Sequence, residues 1–178
     1  MIDNEHKYGS WLNRLLAYII DMIIITMVVA PLNYLNITGN KNFIWFLIIT
    51  LISISYKPLL EFYCKKTIGK HFLKLTVVSI NFNPIGIGQS YLRNVFFMLP
   101  SLLSIPFYYL AFNDPILLDV NDFKYFASLM SSKYPLQGIV SGLTFLFIVI
   151  DFLFLFFDGK KKNRTLHDIF AKTLVLQS

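Results

Sequence analysis

The sequence predicts an all-α membrane protein of about four transmembrane helices that carries a small cytoplasmic β-hairpin or three-stranded sheet. Three observations predict it. Apolar residues make up 56% of the 178-residue chain and charged ones only 15%, against roughly 25% charged in an ordinary soluble domain, and the mean hydropathy is +0.59. Four apolar runs reach or approach the ~20 residues that a spanning helix needs. A β-prone segment lies between the second and third runs, and another ends the sequence. Little chain is left for a large soluble core, so the sequence reads as one membrane domain over 1–178, with cytoplasmic segments at 1–14, 61–94 and 158–178.

The first span is expected at about 15–35. Leu15 to Ile20 precede Asp21, and Met22 to Ile25 follow it. A charge near the bilayer centre costs at least ~2.5 to 3.5 kcal/mol, so a partner, a proton or water must offset it, and Arg14 is the nearest candidate. Met1 to Ser10 are polar and lead into no small-residue cleavage pattern, so no cleavable signal peptide is expected. The second span, about 43–60, carries Lys57 and Pro58 near its end. The third, about 95–112, contains Pro100 and Pro106 and is expected to be kinked or broken, because proline removes a backbone donor. An interfacial turn from Ser90 through Leu92 and Arg93 leads into it. The fourth, about 138–157, holds a second interior acid, Asp151.

Leu73, Leu75, Val77 and Ser79 alternate with Lys74, Thr76, Val78 and Ile80, which predicts a strand. Asn81 to Pro84 make a turn, and Ile85 to Ile87 are expected to return as a short second strand. A hairpin alone is marginal. The tail Thr173-Leu174-Val175-Leu176 supplies a third β-prone segment, predicting a sheet that joins the middle loop to the C-terminus.

Lys and Arg set the orientation, because their excess stays cytoplasmic. Twelve of them flank the spans on one side: Lys7 and Arg14, five between Lys65 and Arg93, and five between Lys160 and Lys172. The two remaining loops hold Lys41, Lys124 and Lys133 beside Asp114, Asp119 and Asp122. Both termini are therefore expected in the cytoplasm and the protein in the cell membrane. The net charge of +6 reads as anchorage to anionic headgroups. No aromatic-interleaved basic module supports nucleic-acid binding.

Three blocks carry a family resemblance. Trp11-Leu12-Asn13-Arg14-Leu15-Leu16-Ala17-Tyr18-Ile19-Ile20-Asp21 resembles the signature of RDD family membrane proteins, in which an arginine opens the first helix and an aspartate lies within it. Glu61 followed by Thr67-Ile68-Gly69-Lys70 and Leu75-Thr76-Val77-Val78 is similar to the family's Thr-x-Gly-Lys loop and the strand after it. Arg164-Thr165-Leu166-His167-Asp168, leading to Ala171-Lys172-Thr173, is similar to its Leu-His-Asp block. The family's second aspartate maps to Asp168, with Asp158 as the alternative. The 113–137 loop is longer than the resemblance implies, and Lys172 stands where a small residue is usual. The resemblance implies an integral membrane protein of undefined molecular activity, with transport of some ligand only suggested.

Helical spacing adds geometry to this. Arg14 and Asp21, seven residues apart, share a face of the first helix but stand ~10.5 Å apart along it, too far to pair directly. Asp151 lies at a comparable depth. Lys57 and Glu61 are spaced to form an i,i+4 pair on the second helix. Convergence of these faces predicts a polar pocket open to the cytoplasm, formed by Arg14, Asp21, Lys57, Glu61 and Asp151. Two functions follow: transport of a small ligand or cation coupled to protons, or a non-transporting accessory or assembly role in which the charges fix helix register. Besides the lipid bilayer, the expected partners are a small cation or proton and a second copy or another membrane protein.

The remaining motifs carry no chemistry of their own. His167-Asp168 has no ligand-like spacing to His6 or His71, and zinc needs three or four converging ligands, so no metal or other cofactor is expected. Asp168 is expected to accept bonds from Arg14 or from backbone amides. Thr67-Ile68-Gly69-Lys70 lacks the spaced glycine and following hydroxyl of a phosphate loop, and reads as a tight turn before an interfacial helix. Cys64, the single cysteine, has no base that marks a nucleophile. No enzymatic activity is expected.

Overall fold

The computed structural model describes residues 7–157 and 163–177. Among them are four helices long and apolar enough to cross a membrane. These are α1 (Trp11–Thr38), α2 (Phe43–Cys64), α4 (Ile87–Ala111) and α7 (Pro135–Phe157). Short elements fill the connections: α3 (Ile68–Phe72), β1 (Leu75–Ser79), α5 (Pro115–Leu118), α6 (Phe123–Lys133), α8 (Leu166–Ala171) and β2 (Thr173–Gln177).

Local chemistry sets the helix starts. The Ser10 hydroxyl accepts from the Asn13 N–H to open α1, and the Asn42 side chain accepts from Ile44 and Trp45 to open α2, each meeting donors that the first turn leaves without partners. The tight link between them is held by Asn36, whose side chain donates to the Asn42 carbonyl at 3.1 Å and accepts its N–H at 2.9 Å. Thr67 caps α3, and Thr165 caps α8 in a box with Asp168.

The third span is not broken. α4 runs unbroken from Ile87 to Ala111 through Pro100 and Pro106; each proline removes one donor, and the intact turns on either side keep the helix together. That helix also absorbs the interfacial turn expected at Ser90.

The hairpin is a second correction. Ile85 to Ile87 form no return strand. After β1, Phe82 adopts φ 63° and the Ser79 N–H donates to the Asn83 carbonyl at 2.9 Å, closing a turn that sends the chain straight into α4. Ile85 is buried with Ala17, Leu75, Val77 and Val175 instead. β1 pairs antiparallel with the tail strand β2, from Leu75 opposite Gln177 to Ser79 opposite Thr173, in a two-stranded sheet. The free edge of β2 meets the N-terminal segment through a single bridge, Tyr8 to Leu176, and through Gly9 N–H on the Val175 carbonyl at 2.9 Å. The tail wins over the hairpin because Leu174 and Val175 bring apolar side chains that are almost fully buried.

The start of α1, the α2–α4 connection and the tail thus meet at one end of the bundle, the basic end. At the other end the long 113–137 connection folds as α5 and α6. Leu117, Val120, Phe126 and Met130 pack there on Ile37, Phe46, Ala111 and Phe112. Between these two clusters the spanning helices face outward with large apolar side chains; Met27 and Phe145 are each 72% exposed. A surface this apolar matches lipid, not water. α2 packs on α4 and α1, and α4 on α7. α1 and α7 meet through Tyr18 and Phe152, ring centroids 6.0 Å apart.

Candidate functional site

Asp21 is almost fully buried, and its partners come from other elements. The Thr67 hydroxyl donates to one carboxylate oxygen; the Gly69 N–H at 2.8 Å and the Tyr56 hydroxyl at 3.1 Å donate to the other. α3 therefore lies directly against α1. A Cβ on Gly69 would overlap the Ala17 carbonyl oxygen, which explains the glycine. All three donors are neutral, so Asp21 is solvated by dipoles.

Arg14 turns away from Asp21. Its guanidinium pairs with Asp168, donates to the Asn163 carbonyl, and reaches the Thr165 hydroxyl at 3.3 Å. The other Asp168 oxygen takes Arg93 at 2.9 Å and the Thr173 hydroxyl at 3.3 Å. Burial alone would raise the Asp168 carboxyl, but Arg14 and Arg93, with His167 beside them, hold it well below the usual carboxylate range. Arg93, 1% exposed, continues the chain of charges to Glu61 at 3.4 Å. Glu61 also pairs with Lys70 and accepts from the Asn94 amide at 3.2 Å. Burial pushes the Lys70 ammonium down, against the Glu61 carboxylate that favours its charge. The result is a continuous clasp, Arg14–Asp168–Arg93–Glu61–Lys70, that ties the tail and α3 to three spanning helices.

Two groups stand beside the clasp. Asp151 accepts the His167 backbone N–H at 3.1 Å, and its other oxygen lies 2.8 Å from His167 Nδ1, though off the line of a hydrogen bond. Arg93 approaches His167 Nε2 at 3.2 Å. A guanidinium only donates, so Nε2 accepts in this contact. Lys57 does not form the expected pair with Glu61, which Lys70 and Arg93 occupy. Its ammonium sits 4.0 Å from the Tyr18 ring centroid and 5.4 Å from that of Phe97, a cation–π arrangement.

Arg14, Asp21, Lys57, Glu61, Lys70, Arg93, Asp151 and His167 all line one cavity of about 50 Å³ at the basic end, room for one or two waters at ~30 Å³ each. It is the first of three in series. A cavity of about 340 Å³ follows, sharing Tyr18, Lys57, Asn94 and Phe97 with it. One of about 220 Å³ lies beyond, sharing Val29, Asn33, Ser53 and Ser101 with the second. Every spanning helix keeps this order: on α7, for example, Asp151 lines the first, Thr144 the second, and Gln137 and Ser141 the third. The third ends at Phe46 and Tyr108, against the α5–α6 cluster.

A model of the RDD family matches residues 8–172. The chain belongs to the RDD family. No curated protein and no solved structure matches it. In this RDD chain the five pocket residues named from spacing share one cavity, while Arg14 and Asp21 answer to different partners rather than to one mediator. Thr67, Gly69 and Lys70 of the loop motif each contact a buried acid: the first two hold Asp21 and the third holds Glu61. Asp158 lies outside the described residues, so the comparison of the two aspartates rests on Asp168, which meets Arg14. Among the described residues no group of three or more His, Cys, Asp or Glu is placed to hold a metal ion.

Arg93 does not stand out as a site residue in the sequence, where it reads as one of the charges that set orientation, and His167 reads there as a lone imidazole without a metal partner. One signal was present for Arg93. It falls within an apolar helical repeat with Phe96 and Phe97 rather than in a basic run, and so marks a buried position rather than a headgroup anchor.

Proposed function

We propose that this RDD protein exchanges a small monovalent cation for protons across the plasma membrane, with both termini in the cytoplasm. The observation that carries this reading is the series of cavities along the bundle, entered through a charged vestibule. Oxygen-bearing side chains recur at successive levels, among them Tyr56, Thr26, Ser101, Asn33, Thr50 and Ser141, and polar groups inside a membrane bundle mark pathways. Asp21 and Asp151 supply negative charge at the vestibule, and the His167 ring lies beside Asp151. The acids Asp21, Glu61, Asp151 and Asp168 are balanced by Arg14, Lys57, Lys70 and Arg93, leaving no surplus negative charge to hold a divalent ion. The first cavity, at about 50 Å³, is far below the ~300 Å³ of sites for drug-sized molecules, so at the vestibule an ion fits better than an organic substrate, although the second cavity reaches about 340 Å³.

The purified protein in proteoliposomes is expected to move protons against an imposed sodium, lithium or potassium gradient. No proton flux with any of the three would overturn the reading.

A second reading is favoured by the three donors that hold Asp21 and by the continuous ion-pair clasp. In it the charges fix helix register, and the protein is an accessory or assembly factor of a membrane complex. A stoichiometric partner after gentle detergent extraction, together with absent flux, supports it; transport by the chain alone counts against it.

A further inference from the structure

Of the four basic side chains around the vestibule, Arg14, Lys70 and Arg93 each pair with a carboxylate. Lys57 rests instead against two aromatic faces. Asp21 is its counterpart among the acids, held by three neutral donors. Both line the same small cavity, so one positive and one negative charge face each other across space for a water or two. Lys57 is also placed at the neck, on the wall of both the vestibule and the 340 Å³ cavity. A monovalent ion passing between the two must go by the ammonium.

We propose that Lys57 is a tethered counter-cation that the transported ion displaces, and that this displacement couples the ion to the proton. The inference rests on the exchange reading above and deepens it. When a cation settles between Asp21 and Asp151, an Nζ–H bond of Lys57 breaks. Its electron pair stays on the amine, and the proton passes to water in the vestibule. One positive charge arrives and one leaves, so the cavity keeps its net charge and the low-dielectric surroundings impose no penalty for an extra ion. Departure of the cation reverses the step.

The charged and titratable groups facing Lys57 come from every element around it: Arg14, Tyr18 and Asp21 on α1, Glu61 on α2, Lys70 on α3, Arg93 on α4, Asp151 on α7 and His167 on α8. Of the four cations, Lys57 has the fewest fixed partners and the most freedom to change charge. The aromatic faces of Tyr18 and Phe97 hold the ammonium without an acid that would lock it, and they accept the neutral amine as packing surface.

The test compares wild type, Lys57→Gln and Lys57→Arg in proteoliposomes. Tracer cation uptake and proton movement are recorded together across pH, with sodium, lithium and potassium in turn. In Lys57→Gln the protons moved per cation are expected to fall by about tenfold or more, within the range of ordinary coupling between two ligands. Uptake in that variant is expected to lose its pH dependence and to follow membrane voltage. Lys57→Arg, which keeps its charge at all working pH, is expected to block uptake and proton movement alike, and it keeps the test decisive if the neutral variant fails to fold. A wild-type proton-to-cation ratio in Lys57→Gln, or wild-type uptake in Lys57→Arg, overturns the role of Lys57 and leaves the exchange reading standing. Absence of flux in wild type removes both.

Discussion

Asp168 is the residue on which the basic end depends. It joins two arginines, its own helix cap and the first residue of β2. Such a carboxylate makes docking of the tail pH-dependent in a definite direction. Its folded-state pKa lies below the ordinary value of about 3.9, so its stabilisation is fully present above that value. It is lost only as pH falls through the lower folded-state value. Amide exchange in β2 is therefore expected to stay protected from neutral pH to about 4 and to rise only in more acidic solution. Exchange that accelerates well above that pH would show that Asp168 is not held by its arginines.

Among the elements, what was legible in the sequence and what was not divide along physical lines. The four spans show because each depends on a local property, an apolar run of sufficient length. β1 and β2 show as β-prone segments, but their pairing does not, because a strand's partner depends on which apolar faces are free once the helices pack. Ile85 illustrates this: its β-branched side chain suits a strand, yet it fills a gap against Ala17 and Val175. The same limit applies to the site. Spacing along α1 placed Arg14 and Asp21 on one face correctly, but it could not show that α3 and the tail would each take one of them. Lys57 and Glu61 are spaced to pair, and are drawn apart by Lys70 and Arg93 from two other elements. Least legible was the 113–137 connection, which has no long apolar run and still closes the far end of the bundle. Phe126, 2% exposed, anchors it. Phe126→Ala is expected to cost ~3–5 kcal/mol and to raise amide exchange across α5 and α6 while β1 and β2 keep their protection. Uniform loss of protection throughout the chain would contradict this division into two ends.

For the whole molecule, the two ends have separate tasks. The apolar cluster at one end closes the cavities, and the clasp at the other binds the helices to the tail around a small polar cavity. Orientation in the bilayer can be read from the single cysteine, since Cys64 is exposed at the end of α2. A membrane-impermeant maleimide is expected to label it only after cells are permeabilised; labelling in intact cells would place the basic end outside. On the exchange reading proposed above, the clasp maintains the fold while Asp151 and its neighbours at the cavity hold the exchanged ion. Asp168→Asn and Asp151→Asn, measured side by side for thermal stability and for cation-driven proton flux, test it most directly. Asp168→Asn leaves two buried arginines without their shared anion and is expected to lose ~3–5 kcal/mol of stability. Asp151→Asn is expected to keep a near wild-type unfolding temperature while losing flux by about tenfold to a hundredfold, the loss of one charged contact to the cation at ~1.5–3 kcal/mol. Wild-type flux in folded Asp151→Asn protein would contradict the account.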